Sequence, residues 1–276
     1  MRTPGRRRSR AAQRALETVM ILAALVCIYP VLFVLNNAVK PESEITLHPI
    51  SPPAKFTLEN FAKAWAEMKF PRSLMNTGII TVGGVAGIIL VSSMAAWKLA
   101  RTLNRFSWLL YMLFAFAMMI PFQIIMVPIV GLSTDLKLGN VWGIIPMYWG
   151  LGAPLAVFMY HGFVKGVPRE LEEAAAIDGG GQFFVFFRVV LPLLQPITAT
   201  ILILDALWLW NDFLLPLIVV KAGTLQLEQL HFYGMFLREY GAAAASLILS
   251  ATPIVALYLA LQKYIIKGIA AGAIKG

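Results

Sequence analysis

The 276-residue chain is 59% hydrophobic and 13% charged, whereas an average soluble domain is roughly 45–50% apolar and about 25% charged. Apolar runs long enough to cross roughly 30 Å of hydrocarbon recur along it, which excludes a soluble globular domain and makes the position of its +9 net charge more informative than the total. Its single cysteine, Cys27, rules out an internal disulfide.

The chain opens on Arg2, Arg6, Arg7, Arg8, Arg10 and Arg14. Ahead of a long apolar run, a basic tail over 1–16 is expected to stay in the cytoplasm as a topology signal rather than serve as a nucleic-acid arm. The run that follows is too long for a signal peptide and lacks a small-residue cleavage site, so it reads as an uncleaved anchor. Six transmembrane helices are predicted, at about 17–38, 74–98, 106–130, 141–164, 196–220 and 243–263, which makes the chain an all-α, polytopic membrane protein. Lys98, Arg101 and Arg105 flank the segment 99–105 and Lys263, Lys267 and Lys275 lie in the tail; the outer loops after spans three and five hold only Lys137, Lys221 and Arg238. This bias places both termini in the cytoplasm. The outer loop 39–73 carries five basic residues against that rule, together with four glutamates, and reads as a folded loop with a turn and a short amphipathic helix. In the second span, Gly83 and Gly87 form a small-xxx-small pair that lets helix backbones approach closely, within this chain or against a partner.

The inner segment 165–195 interrupts the apolar pattern with acids, alanines and three successive glycines. Between Pro168 and Asp178 the residues predict a short helix, with Glu170, Glu172 and Glu173 near its positive end and Gly179 to Gly181 as its stop. At about 1.5 Å per residue it is under 20 Å long, too short and acidic to span. Leu171, Ala174, Ala175 and Asp178 fall at i, i+3, i+4 and i+7, giving a flat face that suits docking. A second, aromatic helix, "QFFVFFRVVLP", follows the glycine turn; an ordinary inner loop with its aromatic half on the membrane interface stays open as the alternative.

The stretch "EEAAAIDGGGQFFVFFRVVLPLLQP" closely resembles the EAA loop of permease subunits in binding-protein-dependent ABC importers, with Gly180 standing where Ala is usual. "FTLENFAKAW", "WNDFLLPLIVV" and "LQKYIIKGIAAGAIKG" resemble the carbohydrate-uptake class, the MalG-like permease family, and the likeness covers nearly the whole chain. The resemblance implies a type I ABC importer permease fold in a single domain over 17–276, in the cell membrane. It implies that Glu172, Glu173, Ala174, Ala175, Asp178, Gly179 and Pro192 belong to a coupling helix and its turn, seated on a cytoplasmic ATPase. The implied partners are a second, homologous permease, two ATPase subunits, an extracytoplasmic sugar-binding protein and membrane lipid, with no nucleic acid. ATP and Mg would be bound by the ATPase subunits, with no cofactor or metal in this chain and no catalysis by it, consistent with the absence of a GxxxxGK[ST] loop.

In the fifth span, Asp205 and Asp212 lie close to two turns apart, where charge is expensive unless it faces water or the bundle interior. With Asn211 and the rings of Trp208 and Trp210 they suggest a face along a sugar route; the alternative is that Asp212 braces a helix broken before Pro216. His48 and His231 fall in outer loops and His161 at the inner end of span four, without metal-ligand spacing and with solvated or interfacial positions expected. The rival functions are an ion-coupled secondary transporter using Asp205 or Asp212, which would leave the long inner loop without a purpose, and a membrane-embedded enzyme, for which no clustered nucleophile or acid–base pair exists in the sequence. The absence of Arg or Lys well inside a span favours a neutral sugar over a phosphate ester.

Overall fold

The computed structural model describes residues 10–220, 223–232 and 239–273, which form helices joined by turns, with no strand among the described residues. Two compact units divide the chain: Met1–Met68 with Gln229–Leu249, and Lys69–Glu228 with Ser250–Gly276.

The first unit contains α1 (Arg10–Ala38), α2 (Glu42–Leu47) and α3 (Glu59–Glu67). Side chains 13–33 of α1 are exposed all round; an apolar helix with no polar face is at home only in lipid or against other apolar helices. The segment 39–68 is folded, and its central device is Lys40, which has no exposed surface. Its ammonium donates to the carbonyls of His48 at 3.0 Å, Pro49 at 3.4 Å and Ser51. Asn60 Nδ2 donates to the carbonyls of Ala38 at 2.9 Å and Lys40 at 2.7 Å, which fastens α3 to the end of α1. Lys63 pairs with Glu239 at 2.6 Å. One of the loop's five basic residues, Lys40, is thus held inside the fold of the loop, and an exposed second, Lys63, is paired, so the charge bias alone reads the loop poorly.

The second unit is built around α4 (Phe70–Arg101) and α7 (Ile144–Val164). Pro71 sits in the first turn of α4, where its missing N–H costs nothing, and Lys98 and Arg101 close its last turn against the negative end of the helix dipole. Gly83, Gly84 and Gly87 let the neighbouring helices approach. A Cβ on Gly83 would lie 2.9 Å from Ile145 Cδ1, one on Gly84 would overlap Leu209, and one on Gly87 would overlap the indole of Trp149. The small-residue pair of the second span therefore packs within this chain. Tyr148 and Tyr160 of α7 are fully buried beside it.

Two expected spans are broken. Instead of one helix over 106–130 there are α5 (Arg105–Ala117) and α6 (Phe122–Asp135), bent by 105°. Pro121 lies in the break, and its ring and missing N–H prevent α5 from continuing. The span expected at 196–220 is α10 (Gln195–Asn211) followed by α11 (Leu214–Val219), parted at Asp212 and Phe213. Between α7 and α10 come α8 (Glu170–Ile177) and α9 (Gln182–Leu193), and α9 meets α10 at 77°. The segment Phe186–Val190 of α9 is a π-helical stretch, with Leu191 N–H bonding to the Phe186 carbonyl. A short turn of helix, α12 (Leu225–Glu228), precedes α13 (Tyr240–Ala273), whose residues 240–249 belong to the first unit and 250–273 to the second.

Among the described residues, three helical stretches are long and apolar enough to cross a membrane, Gln13–Ala38, Phe70–Arg101 and Tyr240–Ala260, or five if each bent pair counts as one span. The 21-residue α7 falls outside that set. Two prolines, several glycines, His161 and its tyrosines dilute its apolar character.

Candidate functional site

The segment 165–195 forms the helical hairpin that its sequence predicts. α8 begins at Glu170, two residues after Pro168, with Arg169 as its N-cap; the Arg169 carbonyl accepts the first hydrogen bonds, from Glu172 N–H at 2.9 Å and Glu173 N–H at 3.0 Å. The helix ends where Asp178 N–H reaches the Ala174 carbonyl (3.1 Å) and Gly180 N–H the Ala175 carbonyl (3.0 Å). Gly179 has φ +89°, a left-handed conformation that side chains resist. Gly180 also has a physical reason: a Cβ there would lie 2.6 Å from the Ala175 carbonyl oxygen and 2.7 Å from Phe184. Glycine at this position draws the turn tight against α8.

No residue of α8 is buried. Glu173, Ala174, Asp178 and Gly179 are exposed, as is Pro192 in α9, whereas Ala175 packs against the hydrophobic core. The flat face expected from Leu171, Ala174, Ala175 and Asp178 is therefore divided, with Ala175 turned inward. Ile177 is 85% exposed and Phe183 69% exposed, so apolar side chains project around the turn.

Glu172 stands apart from the rest of this set because its carboxylate points inward. Oε2 accepts from the Trp97 indole N–H at 2.9 Å; Oε1 accepts from Arg101 Nε at 2.8 Å and Nη2 at 2.6 Å. Arg101 Nη2 also donates to the Val167 carbonyl at 2.9 Å, and Trp97 packs on Phe186 with ring centroids 5.5 Å apart. Sequence reading assigned Arg101 only to the charge bias and left Trp97 unremarked; 71 residues separate Arg101 from Glu172, and no local pattern signals the pairing.

A cavity of about 550 Å³ opens at the α5–α6 bend, against α7 and α10. Asp205, Trp208 and Asp212 all line it, so the two aspartates do share a face. Asp205 is 4% exposed, and its Oδ2 has no hydrogen-bond partner among the described residues. Asp212 has two: Oδ2 accepts from Tyr148 O–H at 2.7 Å, and Oδ1 accepts from Leu214 N–H at 3.1 Å across the helix break. It braces the broken helix and borders the cavity at once. Trp208 stands edge-on to Tyr148, ring centroids 5.6 Å apart and planes at 85°. Asn211 is not among the lining residues, and its amide donates back to the Leu207 carbonyl at 2.8 Å. Trp210 is buried, with its indole N–H on the Ser250 carbonyl at 3.0 Å. Gln123, which sequence reading did not single out, adds an amide to the wall only because the bend at Pro121 brings α6 there. His161, expected at an interface, is 6% exposed and stacks on Tyr111 at 3.9 Å.

The chain is 37% identical over 258 residues to the probable starch degradation products transport system permease protein AmyC of Thermoanaerobacterium thermosulfurigenes, covering 92% of this chain and 94% of that one. It is 34% identical to the multiple sugar-binding transport system permease protein MsmG of Streptococcus mutans (93% and 95% covered), and 35% identical to the melibiose/raffinose/stachyose import permease protein MelC of Bacillus subtilis (96% and 99% covered). Its fold matches a chain of the crystal structure of a bacterial ABC transporter involved in the import of the acidic polysaccharide alginate, with a TM-score of 0.80 over 95% of this chain and 99% of that one; at 21% identity this likeness speaks for the fold alone. The family model for the binding-protein-dependent transport system inner membrane component matches residues 83–271, taking in the hairpin, the cavity and the helices that frame both. The chain belongs to that family, as a multi-pass transport component of the cell membrane.

Proposed function

We propose that this chain is the permease subunit of an ATP-driven importer that carries a sugar or oligosaccharide across the cytoplasmic membrane, and that α8 is its coupling helix. The observation that carries the reading is α8 itself: a helix with no buried residue, stopped by a glycine at φ +89° and ringed by exposed Ile177 and Phe183. Exposed apolar side chains gathered around an otherwise polar helix suit a contact with another protein. The substrate class is supported by the names of the relatives AmyC, MsmG and MelC, which are sugar or starch-product transport permeases.

In this reading residues 17–276 act as one permease domain with six crossings, α5–α6 and α10–α11 each serving as one span and α7 as another, with both termini in the cytoplasm. A second, homologous but non-identical permease completes the pathway, two ATPase subunits bind ATP and Mg, and an extracytoplasmic binding protein delivers the sugar. The chain itself does no catalysis. Glu173, Ala174, Asp178 and Gly179 offer the surface on which an ATPase seats, with Ala175 and Pro192 shaping the elements beneath it. ATPase closure moves α8, and the helices above it turn the cavity outward; hydrolysis resets it. Asp205 and Trp208 belong to the substrate-facing wall, one bringing a carboxylate and the other an aromatic ring, while Asp212 holds the wall in shape. The cavity volume lies within the usual range for small-molecule sites.

The experiment is ATP hydrolysis by the complex of this chain with its neighbouring permease and ATPase in lipid, with the binding protein loaded with each of a panel of neutral sugars. Stimulation by one sugar is expected. A chain that binds no ATPase would overturn the reading, and uptake driven by a proton gradient without ATP would replace it with ion coupling through Asp205 or Asp212.

A further inference from the structure

We infer that Trp97, Arg101 and Glu172 form a clamp that passes the movement of the coupling helix directly into α4, the second span. The inference rests on the coupling reading of α8 and names the route by which its motion leaves it. α8 is joined by chain to α7 and α9, yet its one inward carboxylate is bound by neither. Among the described residues, its hydrogen bonds all come from the last turn and a half of α4: Trp97 Nε1 at 2.9 Å, Arg101 Nε at 2.8 Å and Arg101 Nη2 at 2.6 Å.

Three features make this a mechanical joint rather than a surface ion pair. The Arg101 and Glu172 side chains are each only 13% exposed, so water does little to loosen them. Arg101 holds both ends of the approach to α8, Glu172 and the Val167 carbonyl, with a planar guanidinium that fixes direction as well as distance. Trp97 is gripped from the other arm of the hairpin, where Phe186 lies 5.5 Å away at the start of the π-helical stretch. The last turns of α4 are thus held by α8 and α9 together.

Above the clamp the contacts continue without a break. Gly84 of α4 receives Leu209 of α10, next to Trp208 of the cavity wall, and Gly87 receives Trp149 of α7. Because packed interiors transmit displacement, a shift of α8 that carries the end of α4 with it reaches α7 and α10 through side chains already in contact. Arg101 and Trp97 act here as positioning residues, touching neither sugar nor nucleotide.

The test uses the complete complex in lipid, with Arg101→Gln, Arg101→Lys and Trp97→Phe in this chain. The Arg101→Gln complex is expected to retain its ATPase subunits and their basal hydrolysis within about twofold, while sugar uptake, and the stimulation of hydrolysis by loaded binding protein, fall about five- to tenfold, the size of a typical coupling between sites. Arg101→Lys recovers part of the loss. Trp97→Phe, which keeps the ring on Phe186 and removes one donor, loses less in the same direction. Adding Glu172→Gln to Arg101→Gln lowers uptake by less than a further twofold, since the pair acts as a unit. Uptake by Arg101→Gln within twofold of the unaltered complex overturns the clamp, as do additive losses in the double variant. If Arg101→Gln fails to assemble, normal uptake by Trp97→Phe overturns it instead. Ala174→Trp, measured alongside, separates the two ideas: if it leaves ATPase binding and uptake intact, the coupling reading falls and the clamp with it; if it dislodges the ATPase while the clamp variants transport normally, only the clamp falls.

Discussion

The indole N–H of Trp149 donates to the carbonyl of Gly83 at 2.9 Å, and the same ring occupies the space where Gly87, one turn further along α4, would carry a side chain. A helix carbonyl becomes reachable by a neighbouring indole only where the helix surface is stripped of side chains. The two glycines and the tryptophan therefore form one packing unit between α4 and α7.

Filling that notch is expected to destabilise the protein. Gly87→Leu places a branched side chain on the Trp149 ring, and overpacking of this kind typically costs about 1–3 kcal/mol. Thermal unfolding of the purified complex reads the loss directly. Trp149→Phe should cost less, about 0.5–1.5 kcal/mol for the hydrogen bond to Gly83. A Gly87→Leu variant as stable as the parent would show that α4 and α7 do not pack as described.

The two aspartates are expected to separate by role. Asp205→Asn removes the charge of a buried carboxylate in the cavity wall, whose Oδ2 has no hydrogen-bond partner among the described residues, and should lower sugar uptake with little effect on assembly. Asp212→Asn keeps an acceptor oxygen and should transport nearly normally. Asp212→Ala strands the Tyr148 hydroxyl and the Leu214 N–H together, at about 1–3 kcal/mol for a buried group left unpaired. Uptake kinetics together with unfolding of the three variants give the answer; a transport defect confined to Asp212→Asn would reverse the assignment.

At the glycine turn that ends α8, backbone geometry sets the expectation. Gly179 has φ +89° with open space where a side chain would point, so the constraint is conformational and not steric crowding. Gly179→Ala should cost about 1–3 kcal/mol locally, and Gly179→Pro, whose φ is held near −65°, should abolish the turn. Co-purification of the ATPase with membrane-inserted protein measures both, with loss for Pro and weakening for Ala. Full ATPase retention by the proline variant would refute the docking role of this turn.

The outer loop carries a pH signature of opposite sign at its two ends. The Ala54 N–H on Glu44, 2.6 Å from its carboxylate, holds that carboxyl below its ordinary range, so its contribution is present above about pH 4.3 and is lost as pH falls through the lowered value. The hydrogen bond to Glu239 raises the Lys63 ammonium above its ordinary value of 10.5, so that pair contributes fully below 10.5 and is lost as pH rises through the raised value. Being exposed and screened, the Lys63 pair should be worth no more than about 1 kcal/mol. Protease protection of residues 39–68 against pH is the measurement. Glu44→Gln should remove the acid-side loss and Lys63→Met the alkaline one.

Much of the functional argument was legible in the sequence because its signals are local. Apolar runs longer than a soluble helix needs, the acidic first turn of α8, and glycines at its end act within a few residues of one another, so spacing alone exposes them. The small-residue pair at Gly83 and Gly87 announced a close approach, but not that Ile145 and Trp149 would be what approached. The span at 106–130, read as continuous, is broken, since hydropathy sums apolar character and ignores direction, and Pro121 bends the chain without making it less greasy; the break in the fifth span is already one of the two readings of Asp212 and Pro216.

By itself the sequence determined a membrane-embedded, all-helical chain with an exposed inner hairpin, because burial in hydrocarbon and the demands of a glycine-stopped helix are written in composition and short-range order. Only the tertiary structure decided which polar side chains work together. It turned Glu172 from an exposed member of the docking set into the anchor of Trp97 and Arg101, and it separated Asp205, with a free oxygen, from Asp212, with both of its own engaged. Apart from the local bond from Leu214 to Asp212, those distinctions depend on partners 64 to 75 residues away, and such a hydrogen bond is set by angle and distance between helices, which no pattern along one helix contains.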